Sequence, residues 1–574
     1  MTPAPRIRRR LAEAQGQWPD TVPPLLRRIY EARGALTPEQ AQPRLGQLLP
    51  PDTLGGMQAA TAMLADAIAA DRHIVIVGDF DCDGATACAL GVRGLRLLGA
   101  RHVTPAVPNR MVHGYGLSPA LVDELAALKP ELLVTVDHGI ACHAGIGAAK
   151  ARGWQVLVTD HHLPGDALPP ADAIVNPNLR GDPFPSKMLA GVGVMFYVLL
   201  ALRRVLRERG AFADGGPDLS VLLDLVAVGT VADLVPLDTN NRALVGAGLR
   251  RLHAGQGSAG LQALIRVCGR EAARLTAADI GFAIAPRLNA AGRLEDMALG
   301  IECLLCDDAT QAEEMARVLD GINAERRGVQ QQMTDEAQAA LARVEPGASG
   351  LPPLAPCLFD PEWHPGVVGL VASKMKERLH RPVVAFAPAE PGSATLRGSA
   401  RSIPGFHIRD ALAAIDAAQP GLMARFGGHA MAAGLTLDES ALPAFRDAFH
   451  RQAAALLDDS LLQAELPSDG ELLPHELDRA HAEALRIAGP WGQGFPEPLF
   501  DGVFDVLDWR VVGERHLKLS LRCAGRREPL SAIHFGGWNQ QPPPPAIHVA
   551  YQLDTDDYQN RRGIQLLIRH WSAA

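Results

Sequence analysis

The 574-residue sequence lacks the features that would place it outside a reducing aqueous compartment. Its eight cysteines fall without regular spacing, which excludes a disulfide framework and argues for reducing surroundings. Cys303 and Cys306 form a lone CxxC with no second pair nearby, so neither zinc nor redox chemistry is assigned to them. No apolar run is long and clean enough to cross a bilayer: Leu189–Leu202 and Val221–Val235 are too short or are interrupted by Asp. The N-terminus, MTPAPRIRRR, has basic residues without an apolar stretch behind them, so neither a signal peptide nor a membrane anchor is expected. A soluble, cytoplasmic protein follows. An excess of basic charge is also missing. The net charge is −9, the wrong sign for a protein that merely coats nucleic acid. An enzyme acting on nucleic acid needs only a local basic groove, and the carboxylates of a metal site themselves pull the total negative.

What is present describes an ordinary folded chain. Hydrophobic residues make up 47% and charged residues 21%, which leaves little room for disorder. At ~150 residues per domain the length implies three or four domains. After an N-terminal segment, residues 1–54, apolar runs alternate with helical patterns from 55 to 242, the pattern of βαβ units on a parallel sheet. The clearest strands are His73–Val77, Leu132–Val136 and Val156–Thr159, with helices over Ala85–Leu98 and Ser118–Leu128. This region is expected to be a doubly wound α/β domain. Residues 243–350 read as a helical connector ending at the Pro-rich LPPLAP. A second, smaller α/β domain follows over 351–455, with strands at Cys357–Phe359 and Pro382–Phe386 around a helix at Val367–Leu379. Residues 456–574 carry short β-like runs separated by turns and by QQPPPP, and a small β barrel is expected. Four of the tryptophans lie in or beside it (Trp491, Trp509, Trp538 and Trp571), available either to stack on bases or to fill the barrel core.

The chemistry is concentrated in acidic residues that follow apolar runs. VGDFDCDG places Asp79, Asp81 and Asp83 directly after a strand, where alternating carboxylates converge on a hard divalent cation. D-x-D-x-D-G also opens a calcium-binding EF-hand loop, but the twelfth position from Asp79 is Leu90 instead of Glu, so that reading fails. LLVTVDHGI delivers Asp137 and His138, and VLVTDHH delivers Asp160, His161 and His162. A further acid, Asp233, follows the apolar run LDLVAVGTVAD, which reads as a fourth strand end. The carboxyl ends of parallel strands line one crevice, so groups far apart in sequence meet there. Each Asp alone is as well explained by helix capping. Six or seven Asp and His ligands without Cys suit a two-metal hydrolytic centre, and phosphoester hydrolysis is the reaction class that follows.

DFDCDG, VDHG, TDHH and AVGTVADLVPL resemble the motifs of the DHH phosphoesterases. PNRMVHGYGLS, APRLNAAGRL, WHPGVVGLVASKM and RFGGHAMAAGL resemble the RecJ branch in particular, and the C-terminal β region resembles that branch's OB-like domain. The resemblance implies hydrolysis of single-stranded DNA from the 5′ end to mononucleotides with two ions of Mn²⁺ or Mg²⁺. It implies that Asp79, Asp81 and Asp137 surround one ion, and that Asp83, Asp137, His161 and Asp233 surround the other. His162 then lies close to the scissile phosphate, while Asp160 and His138 orient ligands. Substrate contacts are implied for Arg110, His113, Tyr115, Arg287, Asn289, Arg293, His364, Ser399, Arg401 and His429, with the arginines as holders of a 5′ phosphate. Single-strand binding protein and a recombination helicase are the partners that the resemblance suggests. Two alternatives stay open at this point. One is a phosphodiesterase of the same superfamily acting on short oligonucleotides or cyclic dinucleotides; the other is a non-catalytic replication scaffold.

Overall fold

The structure, a computed structural model, describes residues 5–109, 112–343, 353–556 and 563–574. It begins with a short strand, β1 (Arg6–Arg9), whose partner comes more than 450 residues later. The first large unit is a five-stranded sheet of β2 (Ile74–Val77), β3 (Val103–Ala106), β4 (Leu132–Val136), β5 (Gln155–Thr159) and β6 (Ala173–Val175). All its pairings are parallel and the order is β3-β2-β4-β5-β6. β2 and β4 are buried along their whole length and apolar except for Thr135, as strands covered on both faces tend to be. The chain leaves β2 for β3 on one side and returns to β4 on the other. A crevice therefore opens between the carboxyl ends of β2 and β4, the switch point at which sheets of this kind bind ligands.

Helices cover both faces. Among them are Cys82–Leu97 after β2, Gly191–Glu208 after β6, and Leu223–Ala232. The last corrects the sequence reading, in which LDLVAVGTVAD was a strand. From Leu223 to Thr230 every residue of this helix is buried. A segment that is apolar on all sides has no periodicity to separate helix from strand. The following region is helical, running through Ala285–Leu294 to the 35-residue helix Ala309–Arg343. No helix among the described residues is long and apolar enough to cross a membrane.

The second sheet contains β7 (Cys357–Phe359), β8 (Val383–Pro388), β9 (Thr395–Arg401), β10 (Arg425–Gly428) and β11 (Ala432–Asp438), in the order β10-β11-β9-β8-β7. The helix Val368–Leu379 connects β7 to β8. Next comes β12 (Glu465–Ser468), which pairs in parallel with β1. A closed barrel of β13 (Phe500–Val512), β14 (His516–Arg522), β15 (Leu530–His534), β16 (Ala546–Asp556) and β17 (Gly563–Ala573) completes the chain. Its order, β13-β14-β15-β17-β16, is that of an OB fold. Trp491 stacks with Tyr30 and Phe495 and gives its indole N–H to the Leu485 carbonyl, and Trp571 packs against the core. Trp509 and Trp538 stack on each other at 5.4 Å, with Trp509 partly exposed.

The N-terminal segment ties the barrel down through buried charge. Arg33 and Asp469 are both about 1% exposed and share two hydrogen bonds of 2.7 and 2.9 Å. Arg9 grips the buried Asp501, which also accepts from Ser468 Oγ and pairs with His548. Removing one member of such a pair strands the other charge away from water. Asp469→Ala is therefore expected to cost about 3–5 kcal/mol in urea denaturation. Glu465→Ala, which breaks the exposed pair with Arg8, should cost no more than about 1 kcal/mol. Equal costs for the two would show that burial does not set the strength of this attachment.

Candidate metal centre

The crevice is furnished first by the loop that leaves β2. Asp81 is the N-cap of the helix Cys82–Leu97, its Oδ1 accepting from Gly84 N–H at 3.0 Å. Asp79 accepts from the N–H of Phe80 at 2.7 Å. Asp83 is buried and receives two donors from the first turn of the helix Gly191–Glu208: Gly191 N–H at 2.6 Å and Val192 N–H at 2.9 Å. A helix N-terminus is an electrostatically favourable place for such a carboxylate. Capping and ligand geometry thus coexist in the same residues.

Asp137 follows β4 with φ +65°, in the left-handed region that is uncommon for a residue with a side chain. Gly191 makes this possible, because a Cβ there would stand 2.5 Å from the Asp137 Cβ. After β5, Asp160 accepts from the N–H groups of Ile140, His161 and His162 and from the His162 ring at 2.8 Å. Asn176 and Asn178, just past β6, donate to the carbonyls of His162 and His161. Sequence reasoning missed this pair; the only available signal was two amide side chains immediately after a strand. Asp233 arrives as the C-cap of the helix Leu223–Ala232.

Three overlapping groups result, each with ligand atoms within 4.8 Å of one another: Asp79, Asp81 and Asp137; Asp83, His161 and Asp233; and Asp137, His161 and His162. His161 Nε2 lies 3.1 Å from Asp137 Oδ1 and 3.5 Å from Asp233 Oδ2. Both His161 Nε2 and Asp137 Oδ1 are buried without a hydrogen-bond partner. The ring is anchored by a hydrogen bond to the Leu189 backbone, and burial together with the charge of His162 pushes His161 down to about 4. A neutral imidazole lone pair thus faces carboxylate oxygens of Asp137 and Asp233. Buried polar atoms left this way are rare, and a divalent cation satisfies all of them at once. The donor set is oxygen-rich with one His and no Cys, which fits Mg²⁺ or Mn²⁺.

Burial and then the charge of Asp81 raise Asp83 to about 7. Asp137 and Asp233 are driven well above the carboxylate range by burial and by Asp83. Asp160 behaves oppositely: burial would raise it, but the hydrogen bond and charge of His162 hold it well below the usual range. Burial alone would lower His162, yet Asp160 lifts it to about 9.

The remaining residues expected at the site are distributed as follows. Tyr115 packs edge-on against Phe80 and His162, and the His429 ring, from the turn between β10 and β11, stacks 6.4 Å from His162. The second sheet is therefore in contact with the crevice. Ser399 and Arg401 are hydrogen-bonded at 2.8 Å and lie against Gly369 in the first turn of the helix Val368–Leu379. Arg293 donates to the Gly366 carbonyl, and His364 Nδ1 accepts from Gly366 N–H. His113 accepts from Asn109 N–H and faces Glu124 at 3.1 Å, which fixes its own loop. Arg287 is drawn to Asp320 at 2.8 Å and to the Ala283 carbonyl. Asn289, expected at the substrate, has its carboxamide oxygen taken by Cys82 N–H at 2.9 Å. Arg110 lies outside the described residues. His138 is buried and hydrogen-bonds to the Val77 carbonyl, bracing β4 against β2. A cavity of about 2250 Å³ extends from Val231, Leu234 and Asn289 toward the barrel, lined in part by Arg44, Arg250, Arg270, Arg274, Arg486 and Arg569.

The DHH family N-terminal domain model matches residues 73–230, the DHHA1 domain model 352–455, and the RecJ OB domain model 468–570. The single-stranded-DNA-specific exonuclease RecJ of Dickeya dadantii is 51% identical over 568 residues, covering 98% of both chains. That of Escherichia coli is 48% identical over 569 residues, again covering 98% of both. Among solved structures, RecJ from Thermus thermophilus in complex with Mn²⁺ superposes with a TM-score of 0.80 at 33% identity, covering 96% of this chain and 76% of that one. The Mg²⁺ complex gives 0.75 at 31% identity, covering 96% and 75%.

The raised carboxyls fix a pH dependence. An acid whose folded pKa exceeds its unfolded value takes up protons on folding, so Asp83 costs stability progressively from pH ~4 to about 7, and fully above that. A cation displaces those protons and removes the cost. Mn²⁺ is therefore expected to raise the melting temperature more at pH 8 than at pH 6, read by differential scanning fluorimetry against EDTA controls. A larger gain at pH 6 would contradict this electrostatic account.

Proposed function

The chain belongs to the RecJ family of single-stranded-DNA-specific exonucleases, and on that premise we propose that it hydrolyses single-stranded DNA from the 5′ end to mononucleotides, using two divalent cations, Mn²⁺ or Mg²⁺. The observation that carries this reading is the convergence of six acidic and imidazole groups, Asp79, Asp81, Asp83, Asp137, His161 and Asp233, on one crevice. We assign residues 55–242 to catalysis, 351–455 to the terminal nucleotide, 456–574 to the trailing strand, and 243–350 to joining them.

Asp79, Asp81 and Asp137 would hold one ion, and Asp83, Asp137, His161 and Asp233 the other. Divalent cations bound there would lower the pKa of a bound water and offset charge on the phosphoryl oxygens. The chain's own residues do the rest. Asp160 keeps His162 Nδ1 protonated, which leaves a charged Nε2–H to donate to the scissile phosphate. His429 meets the same phosphate from the second domain. Arg401 and Ser399, at the start of the helix Val368–Leu379, receive the terminal 5′ phosphate. The trailing strand runs along the arginine-lined cavity. Arg250, pushed down there by burial and by Arg44, belongs to a like-charged pair that a phosphate backbone relieves.

A duplex ~20 Å wide has to be separated before one strand enters such a site. Cooperation with a recombination helicase and a single-strand binding protein, in the cytoplasm, belongs to the same proposal.

Two tests follow. Asp137→Ala removes the group common to both ions and should abolish nuclease activity with the fold intact by circular dichroism, as EDTA should in the wild type. Near-normal activity in saturating Mn²⁺ would refute the assignment. For polarity, a charge-assisted hydrogen bond contributes about 1.5–3 kcal/mol. At ~1.4 kcal/mol per tenfold change, Arg401→Ala should lower kcat/KM on 5′-phosphorylated DNA by about ten- to a hundredfold. The loss on 5′-hydroxyl DNA should be much smaller. Equal losses would make Arg401 a general backbone contact, and digestion from the 3′ end would overturn the direction.

A further inference from the structure

The helix Ala285–Leu294 touches the metal loop at two backbone points and the second domain at a third. Asn289 Oδ1 accepts the N–H of Cys82, the first residue of the helix that carries Asp83 and is capped by Asp81. That N–H is one of the first-turn donors that a helix cannot satisfy internally, and the Cys82 side chain beside it is only 1% exposed. One turn farther on, a Cβ on Gly292 would stand 1.8 Å from the Phe80 carbonyl oxygen, so the helix packs directly on the backbone between Asp79 and Asp81. At its far end Arg293 donates to the Gly366 carbonyl, just ahead of the helix Val368–Leu379.

We propose that Asn289 is a positioning residue for the cations: by holding the Cys82 N–H it fixes the start of the helix that bears Asp81 and Asp83, and Gly292 sets how closely the loop can be held. The proposal rests on the metal-centre reading above. Neither residue reaches the substrate in this role. Asn289 acts through the orientation of two carboxylates, as groups behind metal ligands do. Without the acceptor, the buried N–H has to find water or tilt the helix start, and either change spreads the carboxylates from their common focus.

The test is a Mn²⁺ titration of the full chain without DNA, following the free-ion signal by electron paramagnetic resonance, alongside melting in EDTA and steady-state kinetics. Asn289→Ala is expected to weaken Mn²⁺ binding about ten- to a hundredfold. Its EDTA melting temperature should remain close to wild type, its KM for single-stranded DNA nearly unchanged, and its kcat largely restored by excess Mn²⁺. Asn289→Asp keeps an acceptor oxygen and should recover most of the Mn²⁺ affinity. Wild-type Mn²⁺ affinity in Asn289→Ala together with a raised KM would make the residue a substrate contact and overturn the proposal. If Asn289→Ala does not fold, Gly292→Ala decides by the same titration: unchanged Mn²⁺ affinity refutes the proposal. A wild-type chain that binds no Mn²⁺ would instead bring down the metal-centre reading itself.

Discussion

Carboxylates that share a buried site repel one another, and most of the catalytic half is arranged around that cost. Two unit charges 4 Å apart at an effective dielectric of 20 interact by about 4 kcal/mol. Asp79, Asp83 and Asp137 are all buried, with Asp81 and Asp233 alongside. A few such pairs equal the whole stability of a typical domain, about 5–15 kcal/mol. The fold answers in three ways. The N-termini of two helices aim N–H groups at Asp81 and Asp83; protonation takes up part of the charge in the raised Asp83, Asp137 and Asp233; and the central strands β2 and β4 beneath are fully buried and mostly apolar. The site is a cluster of mutually repelling charges mounted on a buried sheet.

The platform was legible because its signals are local. Leu132–Val136 is apolar apart from Thr135, and the acids after β2, β4 and β5 stand at the ends of runs too short for helices. Asp233 was found for a partly wrong reason. The residue does reach the crevice, but from a helix whose uniform burial erased the 3.6-residue period. β15, β9, β10 and β11 escaped notice as well. RGSAR and RFGG contain glycines and arginines that suit half-exposed strands but carry little apolar alternation. The pairing of β1 with β12 was beyond reach, since Arg6–Arg9 has no strand pattern and its partner lies 459 residues away.

Side-chain roles were less legible than positions, and Asn289 and Arg287 show why. Both sit in a motif rich in polar residues, where a substrate contact is the natural reading. Which way a polar side chain turns on a helix depends on what packs against it. Here the metal loop takes one face of Ala285–Leu294 and Asp320 of the long helix claims Arg287. Sequence gives the inventory of donors and acceptors; tertiary contacts decide who meets whom.

His161 and His162 carry that point to its limit. Adjacent in sequence and identical in chemistry, they are driven to about 4 and about 9. His162 has Asp160 against its Nδ1, and the stable pair stays charged; His161 is hydrogen-bonded to the Leu189 backbone, and the neighbouring positive ring adds to its desolvation. One becomes a neutral lone-pair donor and the other a cationic hydrogen-bond donor, which are the two services that a cation and a phosphate respectively require. Asp160 secures the charge on His162; its own charge pulls His161 upward, but burial and the neighbouring positive ring outweigh it and keep His161 neutral. Burial and one carboxylate thus separate two neighbouring imidazoles by charge state.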